Sequence, residues 1–164
     1  MNKLIIIAAL GENFELGKNN DLIWKVKEDL QFFKNKTMNH HILMGKNTFL
    51  SLPSLLVKRT HLVLSRTLQS DALPHQVILL KNLKEFYEYF NSISDDVYII
   101  GGASLYKQFI NEADLMYLTF FKATCQEADS YFPKFAEEDF VKTSLGEFAN
   151  KSLTYKRVLY QRKS

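Results

Sequence analysis

Asp29 stands in the segment Val26-Lys-Glu-Asp-Leu-Gln-Phe-Phe-Lys, whose spacing predicts a helix over residues 26–36. At 3.6 residues per turn Asp29 and Phe33 share one face, Leu30 lies beside it, and Lys27 and Glu28 point elsewhere. One carboxylate would then stand among apolar side chains. Such a group can hold an amidine-like or cationic heterocycle through two parallel hydrogen bonds. The plainer reading is a first-turn acid favoured by the helix dipole, and spacing alone leaves both open.

Two further segments carry possible chemistry. Gly45-Lys46-Asn47-Thr48 and Gly101-Gly102-Ala103-Ser104 each follow an apolar run and open a helical pattern. A strand that turns through glycine into a helix leaves backbone N–H groups free to meet phosphate, and glycine lets a pyrophosphate come close. Two such turns in one sheet suit a dinucleotide, although each alone is explained by turn geometry. The G-x-G-x-x-G fingerprint of the ordinary NAD fold is absent. After the third strand comes Ser65-Arg66, where a free 2′-hydroxyl would favour an acid; with Lys46 as a second cation the site suits a 2′-phosphate, and so NADPH. Arg66 taken by itself reads as a solvated loop charge.

Other combinations fail. His40 and His41 are neighbours on a strand entry and would point to opposite faces, and His61 and His75 lack partners at ligand spacing. Ser104 lacks a nucleophile-elbow context and no Walker A lysine is present. Glu137-Glu138-Asp139 and the 157–163 tail read as solvated charge on a loop and an edge strand. The single Cys125 can form neither an internal disulfide nor a zinc pair, which points to a reducing compartment. A net charge of +3 is too small for an electrostatic nucleic-acid binder.

These residues need a scaffold, and the chain supplies an alternation. Short apolar, branched runs at 4–10, 42–44, 62–64, 77–80 and 97–100 read as strands buried on both faces. Helical patterns lie between them at 26–36, 47–52, 83–90 and 104–111. The fold class is therefore α/β. After Ala113 come three β-rich runs, 115–121, 140–148 and 153–161, expected as antiparallel edge strands. With 46% hydrophobic residues in 164 and no linker or repeat, residues 1–164 are expected to form one domain. The seven-residue run at 4–10 is too short for a signal peptide, and no run reaches the length of a membrane span, so a cytoplasmic protein is expected.

Taken together the residues resemble the bacterial-type dihydrofolate reductase family, collinearly over nearly the whole chain. The resemblance is carried by Ile7-Ala8-Ala9, Leu16-Gly17-Lys18-Asn19-Asn20, Trp24, Asp29-Leu30-x-x-Phe33-Lys34, Ile42-x-Met44-Gly45-Lys46-x-Thr48-Phe49 and Arg59. Leu64-Ser65-Arg66, Ile100-Gly101-Gly102-Ala103-x-x-Tyr106, Leu118-Thr119 and Phe132-Pro133 continue it. It implies a single-domain fold with a mixed, mostly parallel central β-sheet of about eight strands flanked by four helices.

The resemblance also implies an activity: reduction of 7,8-dihydrofolate to tetrahydrofolate, by hydride transfer from NADPH to C6 of the pterin and protonation at N5. Asp29, Trp24 and Leu22 would be the catalytic residues, with Asp29 binding the pterin 2-amino group and N3 and Trp24 ordering a water. Ile7, Ala8, Leu30, Phe33, Leu52, Leu56, Ile100 and Thr119 would complete the substrate pocket, and Arg59 would pair with the α-carboxylate of the glutamate tail. NADPH would lie against Ala9, Leu16, Gly17, Asn20, Gly45, Lys46, Asn47, Thr48, Leu64, Ser65, Arg66 and Ile100, and against Gly101, Gly102, Ala103, Ser104, Leu105 and Tyr106. The segment 17–23 would be the loop that closes over the nicotinamide. Two departures bear on backbone freedom: Ile23 replaces the usual proline before Trp24, and Val57-Lys58 replaces Pro-Gly before Arg59. The expected partners are dihydrofolate and NADPH, with no nucleic acid and no membrane, and one chain supplies a whole site, so a monomer is expected. The related reductase of riboflavin synthesis is disfavoured by Trp24, Asp29 and Arg59 together. A binding module that has lost activity would show an eroded pocket, and no expected polar group is missing.

Overall fold

The structure is a computed structural model that describes residues 2–151 and 153–164. Its centre is an eight-stranded sheet of order β10-β11-β8-β1-β7-β4-β5-β6. These strands are β1 (Leu4–Leu10), β4 (His41–Gly45), β5 (Thr60–Leu64), β6 (Val77–Leu80), β7 (Val97–Gly101), β8 (Leu115–Phe121), β10 (Phe140–Asn150) and β11 (Leu153–Arg162). Four helices pack on it: α1 (Lys27–Thr37), α2 (Lys46–Ser51), α3 (Leu83–Ser92) and α4 (Ala103–Phe109). Alternation along β1 explains the layering. Leu4, Ile6 and Leu10 join Phe86 of α3 and Phe109 of α4 in one apolar cluster. Ile5 and Ile7 join Phe32 and Phe33 of α1 and Phe49 of α2 on the opposite face. Burying each such large side chain stabilises the fold by about 1.5–3 kcal/mol.

The expected strands and helices are present, with ends shifted by up to two residues. One expectation is corrected. The last three strands are antiparallel to one another in turn at one end of the sheet, but they are not all edge strands: β8 also pairs parallel with β1, and β11 lies between β8 and β10. Of these three, β10 alone is an edge; β6 is the edge at the other end. A local apolar pattern cannot distinguish these cases, because the direction of pairing is set by strands far away in sequence.

A second, small sheet joins β2 (Glu15–Lys18), β3 (Asp21–Leu22) and β9 (Ser130–Tyr131) in the order β3-β2-β9. The segment expected as a closing loop is thus mostly a paired hairpin. Asn19 and Asn20 both take positive φ, 52° and 61°, as a two-residue hairpin turn demands. The Asp129 carboxylate accepts from the Asn19 N–H at 2.8 Å and ties the turn to the segment leading into β9.

Candidate active site

A cleft of about 1090 Å³ opens where the parallel strands end. Ile7, Ala8 and Ala9 of β1, Gly45 of β4, Leu64 and Ser65 at the end of β5, and Ile100 and Gly101 of β7 line its floor. The carboxyl ends of parallel strands are where an open α/β sheet leaves a crevice for ligand. Helix α1 forms one wall through Asp29, Leu30 and Phe33, and Leu52 and Leu56 face the same space. Leu22 of the small hairpin, 46% exposed, borders the opening with Leu16, Gly17 and Asn20.

Asp29 is reached from this cleft but is largely buried. Its Oδ1 accepts from the Thr119 hydroxyl at 2.7 Å and from the Arg157 guanidinium at 2.6 Å. No hydrogen bond to Oδ2 is present among the described residues. The side chains of Asp29 and Arg157 are 13% and 7% exposed. Arg157 also donates through Nε to Thr119 at 3.3 Å, and its guanidinium carbon lies 3.8 Å from the centre of the Phe32 ring. This corrects two sequence expectations. Asp29 does not stand among apolar side chains alone, because its countercharge is buried with it. Arg157 is not part of a solvated charged tail. In the interior strand β11 it shares a face with buried Tyr155 and sits directly opposite Thr119 of β8. The two-residue period that pairs 157 with Tyr155 was legible; the partner across the sheet was not.

The other half of the cleft is polar and open. Lys46 reaches across to donate to the Thr67 hydroxyl at 3.2 Å, which brings its charge to the loop carrying Ser65 and exposed Arg66. Ser65 Oγ accepts from the backbone N–H groups of Thr67 and Leu68 and so shapes that loop. A Cβ added to Gly45 would meet nothing nearer than the Gly101 carbonyl at 4.0 Å, and one added to Gly102 nothing nearer than Thr48 Oγ1 at 3.5 Å. The room over both turns therefore belongs to the cleft. Gly101 has φ +128°, a conformation that a side chain would strain. Asn47, Thr48, Ala103, Ser104, Leu105 and Tyr106 also line this half. The buried Tyr106 hydroxyl donates to the Ile7 carbonyl at 2.9 Å and braces the middle of β1; burial pushes this phenol well above its ordinary range.

Two expected site residues lie elsewhere. Trp24 is not among the residues lining the cleft; its indole packs on Phe121 with ring centres 5.7 Å apart, in a small cluster with Val26 and Tyr155. Arg59 is buried beside the cleft, not on its surface. It donates to Thr37 Oγ1 at 3.2 Å, to the Val57 carbonyl at 2.6 Å and to the Lys34 carbonyl. These bonds use three of its five N–H groups. His61, read as partnerless, is also placed: its Nε2 accepts from the backbone N–H of Leu56 at 3.1 Å and so holds a cleft-lining residue. Burial pushes the His61 imidazole below its ordinary value, in keeping with a neutral acceptor.

Comparison with known proteins agrees with this geometry. The profile of the dihydrofolate reductase family matches residues 3–162. The dihydrofolate reductase of Haemophilus influenzae is 34% identical over 134 residues, covering 82% of this chain and 81% of that protein. That of Bacillus subtilis is 31% identical over 161 residues, covering 96% and 94%. A solved structure of the Enterococcus faecalis dihydrofolate reductase, complexed with NADP(H) and RAB-propyl, superposes with a TM-score of 0.88 at 25% identity, covering 99% of this chain and 97% of that one. The sheet and its cleft at the strand ends define a nucleotide-binding α/β protein. The chain belongs to the dihydrofolate reductase family.

Proposed function

We propose that this cleft reduces 7,8-dihydrofolate to 5,6,7,8-tetrahydrofolate with NADPH, and that Asp29 anchors the pterin. The observation that carries the reading is one continuous cleft. It has a buried, hydrogen-bonded carboxylate at one end and two side-chain-free glycine turns with Lys46 and Arg66 at the other. That second half fits a dinucleotide with a 2′-phosphate, since its open turns admit the pyrophosphate and its cations face the loop after β5. When bound, NADPH supplies the hydride for C6.

The protein's own residues orient, exclude water and assist one proton transfer. Asp29 accepts from the pterin 2-amino group and N3, with Oδ2 unengaged and Oδ1 already steadied by Thr119. Leu30, Phe33, Leu52, Leu56 and Ile100 enclose the ring and remove water from it, while Ile7 and Ala8 form its floor. Asp29 supports protonation at N5. Trp24, held on Phe121, contributes by fixing the join between the small hairpin and α1, and Leu22 covers the cleft mouth from that hairpin. Arg59 has two N–H groups left for the glutamate α-carboxylate. The chain works as one domain and as a monomer in the cytoplasm. No described helix is long and apolar enough to cross a membrane.

The test is NADPH oxidation by purified protein with dihydrofolate. Turnover is expected, and the Asp29→Asn variant should lose about 10²–10⁴-fold in rate. An inactive wild-type chain would refute the reaction, and an unaffected variant the role of Asp29. Replacing Lys46 and Arg66 with Ala should weaken NADPH by about tenfold or more and leave NADH little changed. An equal loss for both cofactors would refute the 2′-phosphate site.

A further inference from the structure

The pairing of Asp29 with Arg157 gives the pocket a property that the reaction alone does not require. Asp29 lines the cleft and Arg157 does not, so the guanidinium stands behind the carboxylate as seen from a ligand. It is held there from several sides: by Thr119, by the Phe32 ring at 3.8 Å, and by the Phe148 and Tyr155 rings at 5.0 and 6.0 Å from its carbon. Lys36 adds a second cation nearby, with its Nζ 5.9 Å from the centre of Phe32 and 4.7 Å from that of Tyr117.

A buried carboxylate without a countercharge favours a cationic ring, because that ring completes a neutral pair. Here the pair is complete before any ligand arrives. A neutral ring hydrogen-bonded to Asp29 leaves the site neutral, whereas a cationic ring leaves one uncompensated positive charge near Arg157.

We propose that Arg157 is a positioning residue and a charge filter: it holds Asp29 by Oδ1 with Oδ2 turned to the ligand, and it biases the pocket towards neutral amino-oxo heterocycles and against cationic diamino ones. The idea rests on the reading that Asp29 binds the heterocycle. Arg157 acts only through Asp29 and has no contact with the cleft of its own.

The experiment compares two probes on the NADPH-saturated protein by calorimetry: a protonated 2,4-diaminopyrimidine and a neutral 2-amino-4-oxopteridine. Asp29→Asn should weaken both; if it weakens neither, Asp29 does not bind the ring, and both the reading and this proposal fall. With Asp29 established, Arg157→Met should raise the ratio of cation to neutral affinity on the order of ten- to a hundredfold, as expected for removing a charge several ångströms away. Arg157→Lys, which keeps the charge, should restore the wild-type ratio to within about threefold even where turnover stays low. An unchanged ratio in Arg157→Met overturns the filter, because a purely structural role would weaken both probes together. A second measurement covers a methionine variant that does not fold. At a pH where the free diaminopyrimidine is half protonated, the wild-type protein should bind it with release of up to about half a proton per site, and uptake of protons, or no net exchange, overturns the proposal.

Discussion

The two ends of α1 each hold a buried arginine, and the two are satisfied in opposite ways. At the first turn Arg157 meets a carboxylate, Asp29, and its charge is cancelled within the protein. At the last turn Arg59 meets only dipoles: the Lys34 and Val57 carbonyls and the Thr37 hydroxyl, with no carboxylate in ion-pair range among the described residues. The negative end of the helix dipole and three hydrogen bonds make that burial tolerable without cancelling the charge. Burial still pushes the Arg59 guanidinium below its ordinary value. A cation held by dipoles is prepared to receive an anion, whereas a cation held by a carboxylate is spent on holding it. On the proposed function, the same residue type therefore binds at one end of the helix and positions at the other.

The comparison can be broken most directly at Arg157. Replacing it with Met leaves Asp29 as an unpaired buried charge and should cost about 3–5 kcal/mol in chemical denaturation. Adding Asp29→Asn should recover most of that loss, since the double variant has no charge left to compensate. A double-variant stability no better than that of Arg157→Met would show that packing on Phe32, and not the ion pair, carries the residue.

At the other end, Arg59→Lys should raise KM for dihydrofolate by roughly ten- to a hundredfold, because a lysine cannot offer the same planar pair of donors. The turnover number should stay nearly constant, since the tail carboxylate is bound alike in ground and transition states. Dihydropterin without a glutamate tail is the control, and an equal loss for it would mean that Arg59 acts only by holding the end of α1.

The smallest effect belongs to His61, behind Leu56 on the Arg59 side. Its folded value lies below the usual imidazole value of 6.5, so its contribution to stability is fully present above that pH and is lost as the pH falls through the folded value. Stability measured from about pH 7.5 downwards should decline more in the wild type than in His61→Gln, which keeps an acceptor for the Leu56 N–H. Parallel curves would show that the imidazole titrates alike in both states.

The difference between the ends of α1 also marks where sequence reading stopped. The placement of Asp29 near Phe33 and Leu30 follows from helical periodicity, and the glycine turns at 45 and 101–102 follow from runs of branched residues ending in glycine. Those are local signals. Arg157 was read as charge because it stands between Lys156 and the basic residues 162 and 163. Its burial depends on β11 lying inside the sheet with Thr119 opposite, a register fixed by β8. The strands β2, β3 and β9 escaped for a different reason: with four, two and two residues they are too short to show a period, although Asn19-Asn20 was a readable turn.

The lone reversed strand has a consequence for the order of synthesis. Arg157 is 128 residues beyond Asp29 and reaches it only once β11 has slotted between β8 and β10. A nascent chain from which β11 has yet to emerge already carries the helix, the floor and the glycine turns, but its carboxylate has no cation behind it. Within residues 1–164, the charge state of the pocket is therefore set by the strand that is made after all the others.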